Sequence, residues 1–249
     1  MQTLKVGYWK THPYSRLSVE IVEEFCGWNT LQEILSHAGS ERNRAFIVTM
    51  FKTGGRVTEV LLLRKRNFEL LPAQRVIVVR DMRVLKRYRK VGEYIDEEGR
   101  RRWQTEILEE YRKPFPILVD EPLTDIMLNW IRQLPSEDSL LFESPVKPGM
   151  PLTRIWAYRM LRKLYAKLPT DLKRRLGFIR KGQEIGHLFN HWFRAQRASQ
   201  LVFEYDYRVL DLLKYFSWEK HDTAVHYAQK GWIGLAEKML QRSSIRHSL

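Results

Sequence analysis

A single cysteine, Cys26, has no partner for an internal disulfide and cannot assemble a thiolate-rich zinc site, so neither is expected to hold this chain together. Its side chain reads as a small buried apolar group. Long apolar runs are missing as well. No stretch approaches the roughly 20 residues that a bilayer span requires, and the opening MQTLKVGYWKTHPYS lacks the apolar core of a secretory signal. These absences predict a globular, cytoplasmic protein with no membrane partner. Internal repeats and low-complexity linkers are also absent, which excludes solenoids and disordered arrays. Acidic residues are scarce relative to basic ones: 29 Asp and Glu stand against 43 Lys and Arg, a formal charge of +14. A field of that sign favours polyanions.

With 44% hydrophobic residues the chain can bury a sizeable core, as one large domain or one domain with an appendage. The basic excess is concentrated. Between Arg154 and Lys181 ten basic residues accompany one acid, Asp171. There Ile155, Tyr158, Leu161, Tyr165 and Leu168 recur at helical spacing, while Arg159, Arg162, Lys163 and Lys167 fall mostly on another face. A solvated charged face is the plain interpretation of such a stripe. Nucleic acid is favoured over a membrane surface because the core needs the apolar face, and because aromatic and Arg residues interleave as they do on surfaces that grip a phosphate backbone. Arg154, Arg159, Arg162, Lys163 and Lys167 are therefore candidate DNA contacts, and Arg197 is grouped with them.

The segment LQEILSHAGSERNRAFIVTMFKTGG predicts two helices, the second turning Phe46, Ile47, Met50 and Phe51 inward and stopping at Gly54-Gly55. RVTEVLLLRK begins another helix at once. FELLPAQRVIVVRDMRV and PFPILV are β-rich, and TDIMLNWIRQL is helical. The charged stretch between the strands, punctuated by Gly92 and Gly99, is expected to be a long hairpin tip or an insertion. Helices dominate again from residue 153. The fold class expected is α+β, mostly helical, with a small antiparallel sheet near the N-terminal third.

Two short stretches carry candidate chemistry. In TGGRVTEVLLL the glycine pair places Arg56 at a helix start, where the helix dipole disfavours a cation unless something negative joins it. Arg56 is then either a surface residue paired with Glu59 or a guanidinium poised for bidentate grip on a phosphate. In HWFRAQRAS, His191 and Arg194 share one helical face, so imidazole and guanidinium can converge on one ligand. That spacing alone is common.

The set as a whole resembles the tyrosine recombinases, or phage-type integrases. TGGRVTEVLLLRKRNF is similar to their T-G-x-R-x-x-E segment, and HWFRAQRASQL to their H-x-x-R-x-x-x-A-[ST]-x-L segment, with Ala198, Ser199 and Leu201 in register. LLKYFSWEKHDTAVHYAQ resembles the segment in which Trp218 takes a His/Trp position, Thr223 follows, and Tyr227 lies nine places beyond Trp218. Ser217 stands where the family pattern has glycine. The resemblance covers about residues 41–230, leaving 1–40 as a short extension or reduced DNA clamp and 231–249 as a tail helix expected to dock on a neighbouring protomer or on its own domain.

What the resemblance implies is site-specific recombination or integration of DNA, as in mobile genetic elements, without metal or other cofactor. Tyr227 is the implied nucleophile that forms a covalent 3′-phosphotyrosine, Arg56 and Arg194 the phosphate clamps, His191 a positioning group or proton acceptor, and Trp218 an indole donor. Lys86 is taken as the general acid, ahead of Lys90 and Lys113, because it lies nearest the end of the alternating strand. The implied partners are double-stranded DNA and further copies of the chain, as a dimer or tetramer, in association with the nucleoid. A type IB topoisomerase, a telomere resolvase and a non-catalytic DNA-binding module remain as alternatives.

Overall fold

The computed structural model describes residues 25–85, 88–184 and 186–219, together with 221, 224 and 225. Lys86, Thr223, Tyr227 and the tail 231–249 lie outside the described residues, as do 1–24. In chain order the helices are α1 (Trp28–Ser36), α2 (Glu41–Thr53), α3 (Val57–Leu61), α4 (Thr124–Arg132), α5 (Arg154–Lys167), α6 (Thr170–Arg175), α7 (Asn190–Tyr205) and α8 (Val209–Phe216). The strands are β1 (Phe68–Leu71), β2 (Val76–Val79), β3 (Tyr88–Ile95), β4 (Arg101–Ile107), β5 (Phe115–Leu118), β6 (Ile179–Arg180) and β7 (Gln183–Glu184).

Helix α2 is the axis of the core. Ser40 caps it by accepting the Asn43 N–H, and Gly54 ends it in the left-handed region at φ 54. Every residue from Ala45 to Thr53 is buried, because α4 and α7 pack against it on different sides. Burial of Phe46 and Phe51 alone contributes roughly 1.5–3 kcal/mol each. Helix α3 stops sooner than RVTEVLLLRK predicts. The Leu63 carbonyl accepts the Leu141 N–H at 2.9 Å and Arg64 bridges to Leu140, so extended pairing takes the chain out of the helix.

Strands β1, β2 and β5 form one antiparallel sheet in that order, with Val79 opposite both Phe68 and Phe115. Ile77, Val79, Phe115 and Ile117 turn to the core while Leu118 is exposed, the alternation of a sheet covered on one face. The charged segment between β2 and β5 forms its own hairpin: among the described residues β3 pairs only with β4, and a register shift falls between Lys90 and Gly92.

The stretch whose spacing predicts a helix with a basic stripe is one helix, but a different face of it turns inward. Helix α5 is capped by Thr153, which accepts the Trp156 N–H, and it ends before Pro169. Its inward face is Ala157, Met160, Leu161, Leu164 and Tyr165, with Leu168 beyond its end, whereas Ile155 and Tyr158 are exposed beside the cations. The spacing of the larger apolar residues had set the face about one residue out of phase. No helix of the described residues is long and apolar enough to cross a membrane.

Candidate active site

The turn that carries Arg56 is fixed by space. A Cβ built on Gly54 would stand 2.3 Å from Cε1 of Phe216, and one on Gly55 would stand 2.2 Å from Cε of Met82. The glycine pair therefore lets the end of α8 and the loop after β2 close directly onto the turn. Arg56 then caps α3. Its backbone N–H donates to Glu59 Oε2 and its Nη1 to Glu59 Oε1, both at 2.7 Å. Glu59 also accepts the Leu85 N–H at 3.2 Å. This buried carboxylate supplies the negative charge that a cation at a helix start requires.

Arg194 reaches the same carboxylate from α7. Its Nη1 donates to the Gly54 carbonyl at 2.6 Å and lies 4.0 Å from Glu59 Oε2. Its guanidinium sits 5.0 Å from the Phe216 ring and 5.3 Å from the Trp218 ring. Those two rings stack at 4.4 Å, 12° from parallel. Folding thus brings Arg56 and Arg194, far apart in sequence, together on Glu59, with Trp218 beside Arg194. Burial pushes the Glu59 carboxyl up, but Arg194 and then Arg56 outweigh it and hold the group below the usual range.

Ser217 sets the approach of Trp218. It adopts φ 50, a conformation that favours glycine, and its Oγ accepts the Lys113 N–H at 3.1 Å. A serine at this position is therefore held by a hydrogen bond from the segment that leads into β5. His191 is exposed in the first turn of α7, one turn before Arg194, and buried Trp192 and Phe193 root that turn in the core. Lys90 projects from β3 over the Trp103 ring at 3.8 Å, a position on the separate hairpin.

Arg154, Arg159, Arg162, Lys163 and Lys167 are all exposed on α5. Arg159, Lys163 and Lys167 line a cleft of about 480 Å³ between α5 and the start of α2, where Arg42 adds a further cation over the Trp156 ring. A second cleft, of about 520 Å³, opens beside Glu59 and is lined by Arg64, Arg66 and Arg83. Among the described residues no group of three His, Cys, Asp or Glu side chains could hold a metal ion.

Arg197 requires a correction. It was grouped with the DNA contacts, yet it is 2% exposed and bound at Nη1 to both oxygens of Glu121, at 2.7 and 2.8 Å. Lys52 donates to Glu121 from the other side at 2.7 Å, and Gln200 and Tyr205 complete its shell. A guanidinium enclosed in this way cannot meet DNA. Helical spacing had missed Glu121, which comes from the loop before α4. It had also missed Glu59 as an anchor shared by both arginines, and Arg112, a buried cation packed behind them.

No protein-family model and no curated protein matches the sequence. Solved structures do. XerA recombinase superposes with a TM-score of 0.53 at 14% identity, over 87% of this chain and 64% of that one. The Tn1549 transposon integrase in complex with transposon right-end DNA gives 0.52 at 17%, over 87% and 64%. The same integrase with circular-intermediate DNA gives 0.52 at 16%, over 86% and 66%. The chain spans about two thirds of the length of each. It has the fold of tyrosine recombinase catalytic domains, mostly helical with a small antiparallel sheet.

Proposed function

We propose that this chain is a site-specific DNA recombinase or integrase that breaks and rejoins strands through a covalent 3′-phosphotyrosine. The observation that carries this reading is the convergence of Arg56 and Arg194 on the two oxygens of one buried carboxylate. One anion between two guanidinium groups leaves a positive centre, and the Arg56 side chain keeps 37% of its surface toward solvent. A phosphodiester entering there meets donors already oriented by the fold, which stabilise the charge gathering on its nonbridging oxygens more than they stabilise the ground state.

In the reaction proposed, the Tyr227 oxygen attacks the scissile phosphorus and its proton passes to His191. The bond from phosphorus to the 5′ oxygen breaks, and that oxygen takes a proton from Lys86 to leave as a hydroxyl. Attack by a 5′-hydroxyl reverses both steps. Phosphotyrosine keeps the bond energy of the diester, so rejoining needs no added fuel. Trp218 braces Arg194 and offers its indole N–H. Residues 41–230 form the catalytic unit, and the α5 stripe with Arg42 follows the phosphate backbone. The Tn1549 integrase structures are complexes with DNA; duplex DNA is the substrate proposed here, bound by a dimer or tetramer joined through the tail 231–249.

The test uses a pool of nicked duplexes of randomised sequence, incubated with the full chain and screened for detergent-resistant adducts. Adducts carrying one recovered sequence, lost in Tyr227→Phe, are the expected result. Salt-sensitive binding with no adduct would make the chain a DNA-binding module and end the reading.

A further inference from the structure

The search for groups outside this constellation leads to Arg112, on the segment that returns from β4 to β5. It is 3% exposed, and no carboxylate pairs with it among the described residues. Its guanidinium lies 3.9 Å from the Phe115 ring. Nη1 donates to the Thr53 carbonyl at 2.8 Å and Nη2 to the Tyr215 carbonyl at 2.6 Å, while Nε has no partner among the described residues. A buried guanidinium that meets carbonyls and rings in place of a carboxylate is a poor choice for stability alone. The same burial, and after it repulsion from Arg194, pushes this group down to about 9.

The two carbonyls it grips explain the placement. Thr53 directly precedes the glycine pair that presents Arg56, and the next carbonyl, that of Gly54, is the one Arg194 holds. Tyr215 lies in the last turn of α8, which presents Phe216 and Trp218 to Arg194. We propose that Arg112 is a positioning residue: it clasps the Arg56 turn to the end of α8 and so sets where the two catalytic guanidinium groups stand relative to the scissile phosphate. This inference rests on the strand-transfer reading above.

The test compares the full chain with Arg112→Met and Arg112→Lys on the recovered nicked duplex, and on the same duplex with an uncharged methylphosphonate at the scissile position. The clasp predicts that both variants fold and bind duplex as the parent does, yet cleave the phosphodiester about 100-fold more slowly, the scale of a displacement near 1 Å. On the methylphosphonate, where clamps placed for a charged group lose most of their effect, the difference from the parent collapses. Equal slowing on both substrates, or failure of both variants to fold, would make Arg112 merely structural and overturn the proposal. Parent-like cleavage by Arg112→Met also overturns it, and parent-like cleavage by Arg112→Lys does so because charge alone would then suffice. Absence of adducts with the parent chain sinks the strand-transfer reading and this inference with it, whereas the other failures sink the inference alone.

Discussion

Arg194 and Arg197 lie one turn apart on the same helix, and each faces a carboxylate that a second cation also holds, yet the two clusters are built for different ends. Glu121 is enclosed: Lys52 and Arg197 are at most 2% exposed, and donors from α2 and α7 fill its shell. Glu59 is bracketed by one buried arginine and one whose side chain is 37% exposed. A closed set of charges is complete without a ligand. An open one keeps a positive face for an anion, and that contrast separates the structural arginine from the proposed catalytic one.

The largest effect expected comes from breaking the closed cluster. Glu121→Ala leaves Lys52 and Arg197 buried without their anion and should destabilise the fold by about 3–5 kcal/mol, a fall in Tm on the order of 10 °C for a chain of this size. Thermal unfolding checks the first part. Strand cleavage per folded molecule should stay at the parent level, and a loss of cleavage out of proportion to the loss of stability would erase the distinction between the clusters. Arg194→Ala sharpens it from the other side. Losing one preorganised donor should slow cleavage about 10²- to 10³-fold while duplex affinity changes little, as single-turnover kinetics on the nicked substrate would show.

The sequence separates these two arginines poorly, for a physical reason. Helical periodicity says which way a side chain points along its own helix, and Arg194 and Arg197 point to adjoining regions. It does not say what the rest of the chain places opposite. That Arg194 meets Arg56 was expected from the resemblance carried by TGGR and HWFR, and the Gly54-Gly55 stop told where α2 ends. Glu121 comes from a loop with no helical pattern, so the burial of Arg197 could not be read. The same limit put Ile155 and Tyr158 of α5 on the core face: the small Ala157 carries little weight in a pattern of large apolar residues, yet it is fully buried. Arg112 left no signal at all, since its role depends on two carbonyls contributed by distant turns.

Acid should act on the closed cluster through Glu121. Burial raises the Glu121 carboxyl, but Arg197 and Lys52 outweigh it and bring the group from 4.5 down to about 2. A carboxylate whose folded value is depressed contributes stability above its unfolded value, and that contribution is lost as pH falls through the folded one. Denaturant titrations between pH 4.5 and 2 should therefore lose on the order of 3 kcal/mol from this group, and the slope should flatten in Glu121→Gln. An unchanged slope would show that Glu121 is not the acid-sensitive centre of the fold.

Exposed arginines on α5 offer a third environment against which the other two can be measured. Arg159 stands at the cleft shared with Arg42, Lys163 and Lys167, with its side chain in solvent and no buried partner among the described residues. Arg159→Ala should therefore leave stability within about 0.5 kcal/mol of the parent. If Arg159 contacts a backbone phosphate, duplex binding weakens to a similar degree on every sequence, and the slope of log affinity against log salt falls by about one. The cleavage rate at saturating protein should not change, because a phosphate contact on α5 holds the duplex without touching the reacting diester. A slope that stays the same would remove α5 from the binding surface. A slower cleavage step would mean that this stripe also orients the scissile strand, which would blur the line between gripping DNA and cutting it.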